Sequence, residues 1–168
     1  MKHLLPCFVL LLASFCGPDA LALKSDQQQP IKIEADAATV DEKNGVSTYR
    51  GNVTVNQGSL FISADEVQIH SAGNEVVRIV ARVPLTAAEL VHYEQLPDND
   101  DLISGNARTI VYFVKEERLE FLGEAILRQA DAKSFSGETI QYSVTDSRVN
   151  AESSGDRRVI TTIPPRQN

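Results

Sequence analysis

Apolar and polar residues alternate with a period of two along most of the chain after residue 30. The pattern is clearest between residues 49 and 69, where two apolar sets each share one parity: Tyr49, Gly51, Val53 and Val55, then Leu60, Ile62 and Ala64. A strand with one apolar and one polar face has this period, whereas an amphipathic helix repeats every 3.6 residues. No segment sustains the helical period, so the sequence predicts an all-β domain.

Short breaks that contain glycine separate the alternating runs, at Gln57-Gly58-Ser59, at Asn44-Gly45 and at Ser71-Ala72-Gly73-Asn74. Asn-Gly is typical of a tight hairpin in which both central residues adopt positive φ. We therefore expect antiparallel hairpins. The predicted strands are Ile31–Asp36, Ala38–Asp41, Val46–Asn56, Leu60–His70, Glu75–Val83, Leu90–Tyr93, Ile103–Val114, Leu119–Leu127, Phe135–Val144, Arg148–Glu152 and Val159–Ile163.

A tetrad of a large apolar, a polar, a small and an acidic or amide residue occurs four times, at Ile33–Asp36, Ile62–Asp65, Ile103–Asn106 and Phe135–Glu138. In addition, the run from Tyr49 to Gln57 matches the run from Phe121 to Gln129. Such repetition predicts stacked hairpins in a folded, taco-like sandwich, and the hairpin turns disfavour a parallel β-helix. We interpret the small residue as the site of a bend, and the acids Asp36, Asp65 and Glu138 as acceptors for backbone amides there.

The first 22 residues resemble a cleaved signal peptide: a basic start, an apolar run up to Phe15, and small residues at Ala20 and Ala22. The alternative is a lipoprotein acylated at Cys16, which the bulky Phe15 before it disfavours. The predicted organisation is a signal peptide at 1–22, a flexible segment at 23–30, a single β domain at 31–163 and a tail at 164–168.

Charge and residue types exclude several functions. The signal peptide holds one lysine and one aspartate, so the exported chain keeps a net charge of −7 and is a poor candidate for binding nucleic acid. Both cysteines lie in the signal peptide, and His70 and His92 lack metal-ligand spacing. No serine lies in a Gly-x-Ser-x-Gly elbow, and the acidic residues near Asp98 lack the glycine and glutamate of an EF-hand. We expect neither an enzyme nor a metal or other cofactor.

The predicted strands place a long apolar set on one face. Its members are Ile31, Ile33, Val53, Val55, Leu60, Ile62, Val67, Ile69, Ile103, Ile110, Tyr112, Val114, Phe121, Leu127, Phe135, Ile140, Tyr142 and Val144. This face can close as a sandwich core or stay partly open as a groove for hydrocarbon chains. The alternation is compatible with both, and on the sequence alone the closed core is favoured.

Several segments in order resemble the OstA/LptA family of lipopolysaccharide transport. They are Gln29-Pro30-Ile31-x-Ile33-Glu34-Ala35-Asp36, Gly51-Asn52-Val53-x-Val55-x-Gln57-Gly58, Ile62-x-Ala64-Asp65-x-Val67, Gly105, Tyr112, Gly123, Gly137-x-x-Ile140-x-Tyr142 and Arg158-Val159. The resemblance implies a periplasmic antiparallel β-jellyroll whose inner face takes the acyl chains of lipid A. Ile31 and Ile33 at the entry end, and Tyr112 and Val114 further along, match family positions that face the lipid path. Together with residues of the apolar face, the predicted ligand-binding set is Ile31, Ile33, Val53, Val55, Leu60, Ile62, Val67, Tyr112, Val114, Phe121, Ile140 and Tyr142. Between Pro84 and Leu102 the chain departs from the family pattern in length and composition, so the family's aromatic there is not assigned; the candidates are Tyr93 and His92.

The resemblance also implies head-to-tail stacking of copies that joins LptC at the inner membrane to the N-terminal domain of LptD at the outer membrane. The terminal strands offer free edges for such stacking, through Ile31, Ile33, Val159, Thr161 and Ile163, and joining unlike ends gives an open filament. The alternative from another class is a periplasmic structural or adhesive β-sandwich with a closed core and no ligand.

Overall fold

The computed structural model describes residues 26–96, 102–130 and 132–165, apart from the side chain of Gln27; the predicted signal peptide and most of the acidic loop lie outside these ranges. A 3-10 helix, Asp26–Gln28, precedes twelve strands. The strands are β1 Lys32–Glu34, β2 Ala37–Asp41, β3 Val46–Gln57, β4 Leu60–Ala72, β5 Glu75–Arg82, β6 Val91–Gln95, β7 Ile103–Ala107, β8 Thr109–Phe113, β9 Arg118–Gln129, β10 Ser134–Ser143, β11 Arg148–Glu152 and β12 Ile160–Thr162. The all-β antiparallel prediction is confirmed.

Four long strands, β3, β4, β9 and β10, run through two sheet layers, and the shorter strands each belong to one layer. The first layer has the order β2-β3-β4-β5-β8-β9-β10-β11, and the second has β1-β3-β4-β6-β7-β9-β10-β12. Hydrogen bonding also closes a ring through β4, β5, β8, β9, β7 and β6. The inner faces of both layers meet in a single apolar core.

The long strands bend at two equivalent β-bulges. Gly51 and Asn52 of β3 together oppose one residue of β4, Asp65, and both have positive φ, 79° and 47°. In the same way, Gly123 and Glu124 of β9, with φ of 77° and 52°, oppose Glu138 of β10. An extra residue on one strand bends it and increases its twist, which is what carries each long strand from one layer into the other.

The chain consists of two similar halves, β1–β6 and β7–β12. In the first half β1 and β2 pair with β3, and β5 and β6 pair with β4; in the second half β7 and β8 pair with β9, and β11 and β12 pair with β10. Ile33 pairs with Val55 as Gly105 pairs with Leu127, so equivalent residues of these strands differ by 72 in number. The predicted repeat of stacked hairpins therefore covers the whole domain.

This register corrects the alignment of one tetrad. Those at Ile62–Asp65 and Phe135–Glu138 are equivalent and lie opposite the bulges, where the bend was predicted. The tetrad at Ile103–Asn106 is two residues out of register with Ile33–Asp36. Asp36 donates its backbone N–H to Gly51 O, and Arg108 donates to the equivalent Gly123 O, so the counterpart of Asp36 is Arg108 and not Asn106. The Asp36 carboxylate accepts a hydrogen bond from the Asn52 side-chain amide (2.9 Å), where we predicted a backbone donor.

Three further details differ from the sequence predictions. The run from Ile103 to Val114 is two strands, broken at Arg108, because its inner residues change parity there. The Asn44-Gly45 hairpin has a four-residue loop, Glu42 to Gly45, in which only Gly45 has positive φ. Its turn is fixed by the Asp41 carboxylate, which accepts hydrogen bonds from Asn44 N (3.1 Å) and Asn44 Nδ2 (2.7 Å). Gly51 belongs to the bulge and not to the inner face on which its parity places it.

Candidate functional site: the apolar interior and the free strand edges

The structure gathers the predicted ligand-binding residues into one interior. Nine are at most 4% exposed: Val53, Val55, Leu60, Ile62, Val67, Tyr112, Phe121, Ile140 and Tyr142. Ile31, Ile33 and Val114 are half-buried and pack against the same cluster. The interior is therefore filled by its own side chains along most of its length. Whether it takes a ligand stays a prediction at this point.

An aromatic cluster occupies the centre of this interior. The Tyr93 ring contacts Phe121 edge-on, at 6.0 Å between centroids and 89° between planes, and Tyr112 at 6.5 Å and 64°. Tyr93 is fully buried on β6, whereas His92 points outward, so Tyr93 is the inward aromatic of the segment that departs from the family pattern. Gly105 lies under the Phe121 ring, which a Cβ at that position would overlap.

A polar network closes one end of the interior. The buried Asp26 carboxylate accepts hydrogen bonds from Ser59 N, Ser59 Oγ and Gln95 Nε2, each at 2.7 Å. The Tyr93 hydroxyl donates to Gln95 Oε1, which links this end to the aromatic centre. Burial raises the pKa of Tyr93 well above its usual value, and the neighbouring Tyr112, Asp26 and Tyr142 raise it further, so the phenol stays protonated and remains a donor.

Free strand edges lie at the two ends of the layers. Within the described part of the chain, β1 and β2 pair only with β3, and β11 and β12 pair only with β10. The strands at the two termini are thus edge strands, and β1 and β12 are shorter than predicted. That their edge residues bind a partner stays a prediction. Four of the seven exposed large hydrophobic residues that the structure describes lie at these edges: Val40, Val159, Ile160 and Ile163. Exposed apolar edges of this kind invite pairing with another chain.

Sequence reasoning missed part of the interior and the whole polar network. The missed apolar residues are Ile79, Ala81, Val91, Tyr93, Ala107, Leu119 and Ala125. Period-two alternation in β6, Val91-x-Tyr93-x-Gln95, was a usable signal for that strand, where we favoured only Leu90–Tyr93. Nothing local in the sequence shows that Asp26 reaches Gln95, since 69 positions separate them.

The described residues include no helix long and apolar enough to cross a membrane and no group of three potential metal-ligating side chains.

Residues 32–148 match a protein family described as LptA/(LptD N-terminal domain) LPS transport protein. The lipopolysaccharide export system protein LptH of Pseudomonas aeruginosa is 37% identical over 148 residues, which cover 88% of this chain and 82% of that protein. LptA of Escherichia coli K12 is 32% identical over 151 residues, with 88% and 78% coverage, and LptA of Haemophilus influenzae is 32% identical over 165 residues, with 95% and 92% coverage.

A solved structure agrees with these relatives. The crystal structure of Pseudomonas aeruginosa LptH, described as the LptA homologous periplasmic component of the lipopolysaccharide transport device, aligns with a TM-score of 0.74 and 31% identity. The alignment covers 84% of this chain and 99% of that one. These relatives are transport proteins, in agreement with the prediction that the chain is not an enzyme. The chain belongs to the LptA/(LptD N-terminal domain) family of lipopolysaccharide transport proteins.

Proposed function

We propose that this protein is a periplasmic bridge that carries lipopolysaccharide from the inner to the outer membrane, by stacking head to tail with further copies and with LptC and LptD. The observation that carries the proposal is the junction between its two halves, where β5 pairs with β8 and β6 pairs with β7. The free strands at the ends, β11 and β12 on one side and β2 and β1 on the other, are the repeat equivalents of these four strands.

The repeat specifies a register for stacking in the first layer. At the internal junction Arg78, Ile79 and Ala81 pair with Phe113, Tyr112 and Ile110. The equivalent pairs between copies are Arg148 with Asp41, Val149 with Val40 and Ala151 with Ala38. A cation then faces an anion, and apolar residues face each other on the inner side. Opposite charges and matched apolar pairs are the combinations that stabilise antiparallel strands.

The second layer gives an equally compatible register. Inside the chain Tyr93 pairs with Gly105 and Gln95 pairs with Ile103. The equivalent pairs between copies are Thr161 with Ile33 and Ile163 with Ile31, which are the edge residues predicted from the sequence. Ile163 is 72% exposed in the single chain, and burying such a side chain contributes about 1.5–3 kcal/mol. Stacking would continue the apolar interior from one copy to the next.

A cysteine pair tests this register directly. The double variant Val40→Cys/Val149→Cys should form crosslinked ladders under mild oxidation, because the register places the two residues opposite each other. The matched control Val40→Cys/Ala151→Cys shifts the pairing by two residues and should crosslink far less. Equal crosslinking of both pairs would contradict the register.

Photo-crosslinking in cells tests the ligand. A photo-reactive residue at Ile33 or Tyr112 should capture lipopolysaccharide, because both positions belong to the interior, whereas one at the outward Lys32 should not. Adducts only at Lys32 would contradict an interior lipid path. The acyl chains provide the affinity in this proposal, since each buried methylene contributes about 0.8 kcal/mol, whereas an acidic chain has little attraction for an anionic head group.

A ligand-free structural or adhesive sandwich is the second candidate, and it is favoured by the filled interior, in which Val55, Val67 and Phe121 are 0% exposed. An apolar fluorophore distinguishes the two functions. Binding that lipopolysaccharide competes away supports the carrier, and absence of binding supports the closed sandwich.

A further inference from the structure

The segment from Asp26 to Pro30, here called the N-terminal strap, lies across one end of the filled interior. It contacts the chain at inward-facing residues: Asp26 accepts a hydrogen bond from Gln95 Nε2 at 2.7 Å, and the backbone carbonyl of Gln29 accepts one from Gln57 Nε2 at 3.0 Å. Gln57 ends the inner face of β3, and Gln95 ends that of β6. The strap therefore joins the ends of two strands that line the interior.

Buried polar residues are concentrated at this one place. Of the residues that the structure describes, only Asp26, Gln57 and Gln95 are both polar and buried, and all three belong to the strap or to its contacts. Gly58 completes the fit, because it has a φ of 59° and a Cβ there would overlap the Asp26 carboxylate. Stability alone gives little reason for such a network, since replacing buried polar partners by apolar residues of the same shape is often neutral or stabilising.

The second half of the chain has no equivalent closure in its described part. Its counterpart of Gln95 is Ile163, which is 72% exposed, and its counterpart of Gln57 is Gln129, whose backbone N–H donates to Lys133 O. Within the described residues, a closure of this kind is therefore seen only at the first half. The strap lies at the end of β6, the strand that carries Tyr93 of the central aromatic cluster.

We propose that the N-terminal strap is a latch, and that its release, without unfolding of either layer, gives acyl chains access to the interior. This inference rests on the proposed function, because it concerns the same apolar site. The latch is held by polar bonds that water can replace when it opens, whereas the interior behind it is apolar. The hydrogen-bond chain from Asp26 through Gln95 to the Tyr93 hydroxyl places the latch in contact with the residues that a ligand would displace.

A reversible covalent lock tests the latch. The carboxylate Oδ2 of Asp26 and the hydroxyl Oγ of Ser59 lie 2.7 Å apart, so cysteines at these positions can be joined by a short bis-methanethiosulfonate reagent and released by a reductant. The chain's own cysteines, Cys7 and Cys16, lie in the predicted signal peptide. The full chain is expressed and purified from the periplasm, so that only the two introduced cysteines are expected to react. Uptake of the apolar fluorophore N-phenyl-naphthylamine, with lipopolysaccharide as competitor, is the measurement.

We expect the locked protein to take up the fluorophore at least about tenfold more slowly than the same protein after reduction, a factor equivalent to 1.4 kcal/mol. Equal uptake before and after reduction would overturn the latch and leave the carrier function standing. No uptake by the parental protein, which has no lock, would overturn the carrier function itself, so the two failures are distinguishable.

A second variant opens the latch instead of locking it. Asp26→Ala removes three hydrogen bonds to a charged group and should speed uptake about tenfold. Asp146→Ala is the matched control, because Asp146 accepts a hydrogen bond from Ser143 Oγ (3.1 Å) in an exposed turn remote from the strap in the fold. Circular dichroism verifies that both variants stay folded. Uptake by Asp26→Ala at the parental rate would contradict the latch.

Discussion

Gly51 and Asn52 place two consecutive left-handed residues in the middle of β3, where a regular strand has an extended backbone. The conformation persists because the bulge lets β3 serve both layers. Asp36 reinforces it by donating its N–H to Gly51 O (3.0 Å) and accepting from Asn52 Nδ2 (2.9 Å). Glycine is required at position 51 for two reasons, its φ of 79° and the Asp36 side chain that a Cβ would overlap.

Gly51→Ala should therefore lower the free energy of unfolding by about 2–4 kcal/mol, through backbone strain and a steric clash together. Gly73→Ala is the control, because Gly73 also has positive φ, 62°, but a Cβ there meets nothing within 4 Å. It should cost only about 1–2 kcal/mol. Urea unfolding of both variants measures the difference, and equal costs would contradict the steric contribution.

Glu66 forms ion pairs with two arginines, at 2.9 Å to Arg50 Nε and 3.0 Å to Arg82 Nε. Burial raises the pKa of Glu66, but hydrogen bonds and charges from Arg82 and Arg50 outweigh it and hold the pKa below its ordinary value. A carboxylate with a lowered folded pKa adds stability above its unfolded pKa, and this stability is lost as the pH falls through the folded pKa.

Glu66→Gln should therefore lower the free energy of unfolding by about 1 kcal/mol at pH 7, because an ion-pair network with exposed arginines contributes little more. The difference between the variant and the parental protein should shrink as the pH falls from about 5 to 3. Thermal unfolding across this range is the measurement, and a difference independent of pH would contradict the pairing.

At the scale of elements, the alternation predicted most strands, the hairpins and eighteen of the inward residues, because these features depend on local period; it missed seven other core residues. The positions at which the two layers separate were harder to predict from the sequence. The bulges at Gly51–Asn52 and Gly123–Glu124 oppose Asp65 and Glu138 on the neighbouring strands, so their effect on parity depends on the register between strands. The two-residue offset of Ile103–Asn106 was missed for the same reason.

The edge strands β2 and β11 carry the charges that the stacking register brings together. Arg148→Asp should weaken self-association about tenfold, because it places two acids opposite each other, and the double variant Arg148→Asp/Asp41→Arg should restore it. Analytical ultracentrifugation of the parental protein, the single variant and the double variant measures their self-association. Failure of the second substitution to restore association would show that residues 41 and 148 do not meet.

At the scale of the whole molecule, the two halves are joined by an interface of the kind that the proposed filament would repeat. The fold and the family follow from the sequence, the relatives and the structure together. The strap and its contacts were not predictable, because they depend on residues distant in the chain meeting at one end of the interior. The interior residues were predictable as apolar, because the alternation places them on one face.

A single exposed isoleucine provides a whole-molecule test. Ile163→Asp should abolish the growth of oligomers in light scattering while leaving thermal unfolding unchanged, because Ile163 is 72% exposed in the single chain. Leu85→Asp is the control, since Leu85 is 85% exposed but lies in a loop away from the edges. Loss of association in both variants would point to general solubility and not to the edge.

The equivalence of the two halves has a consequence for chain connectivity. A circular permutant that begins in the loop between β6 and β7, with the old termini joined by a linker, would carry β7–β12 before β1–β6. Its internal junction would then be the one that we assign to contacts between copies, and its external contact would be the present β5–β8 and β6–β7 pairing. The internal junction and the contact between copies would thus be exchanged, but the filament that such a chain builds would keep the same repeat.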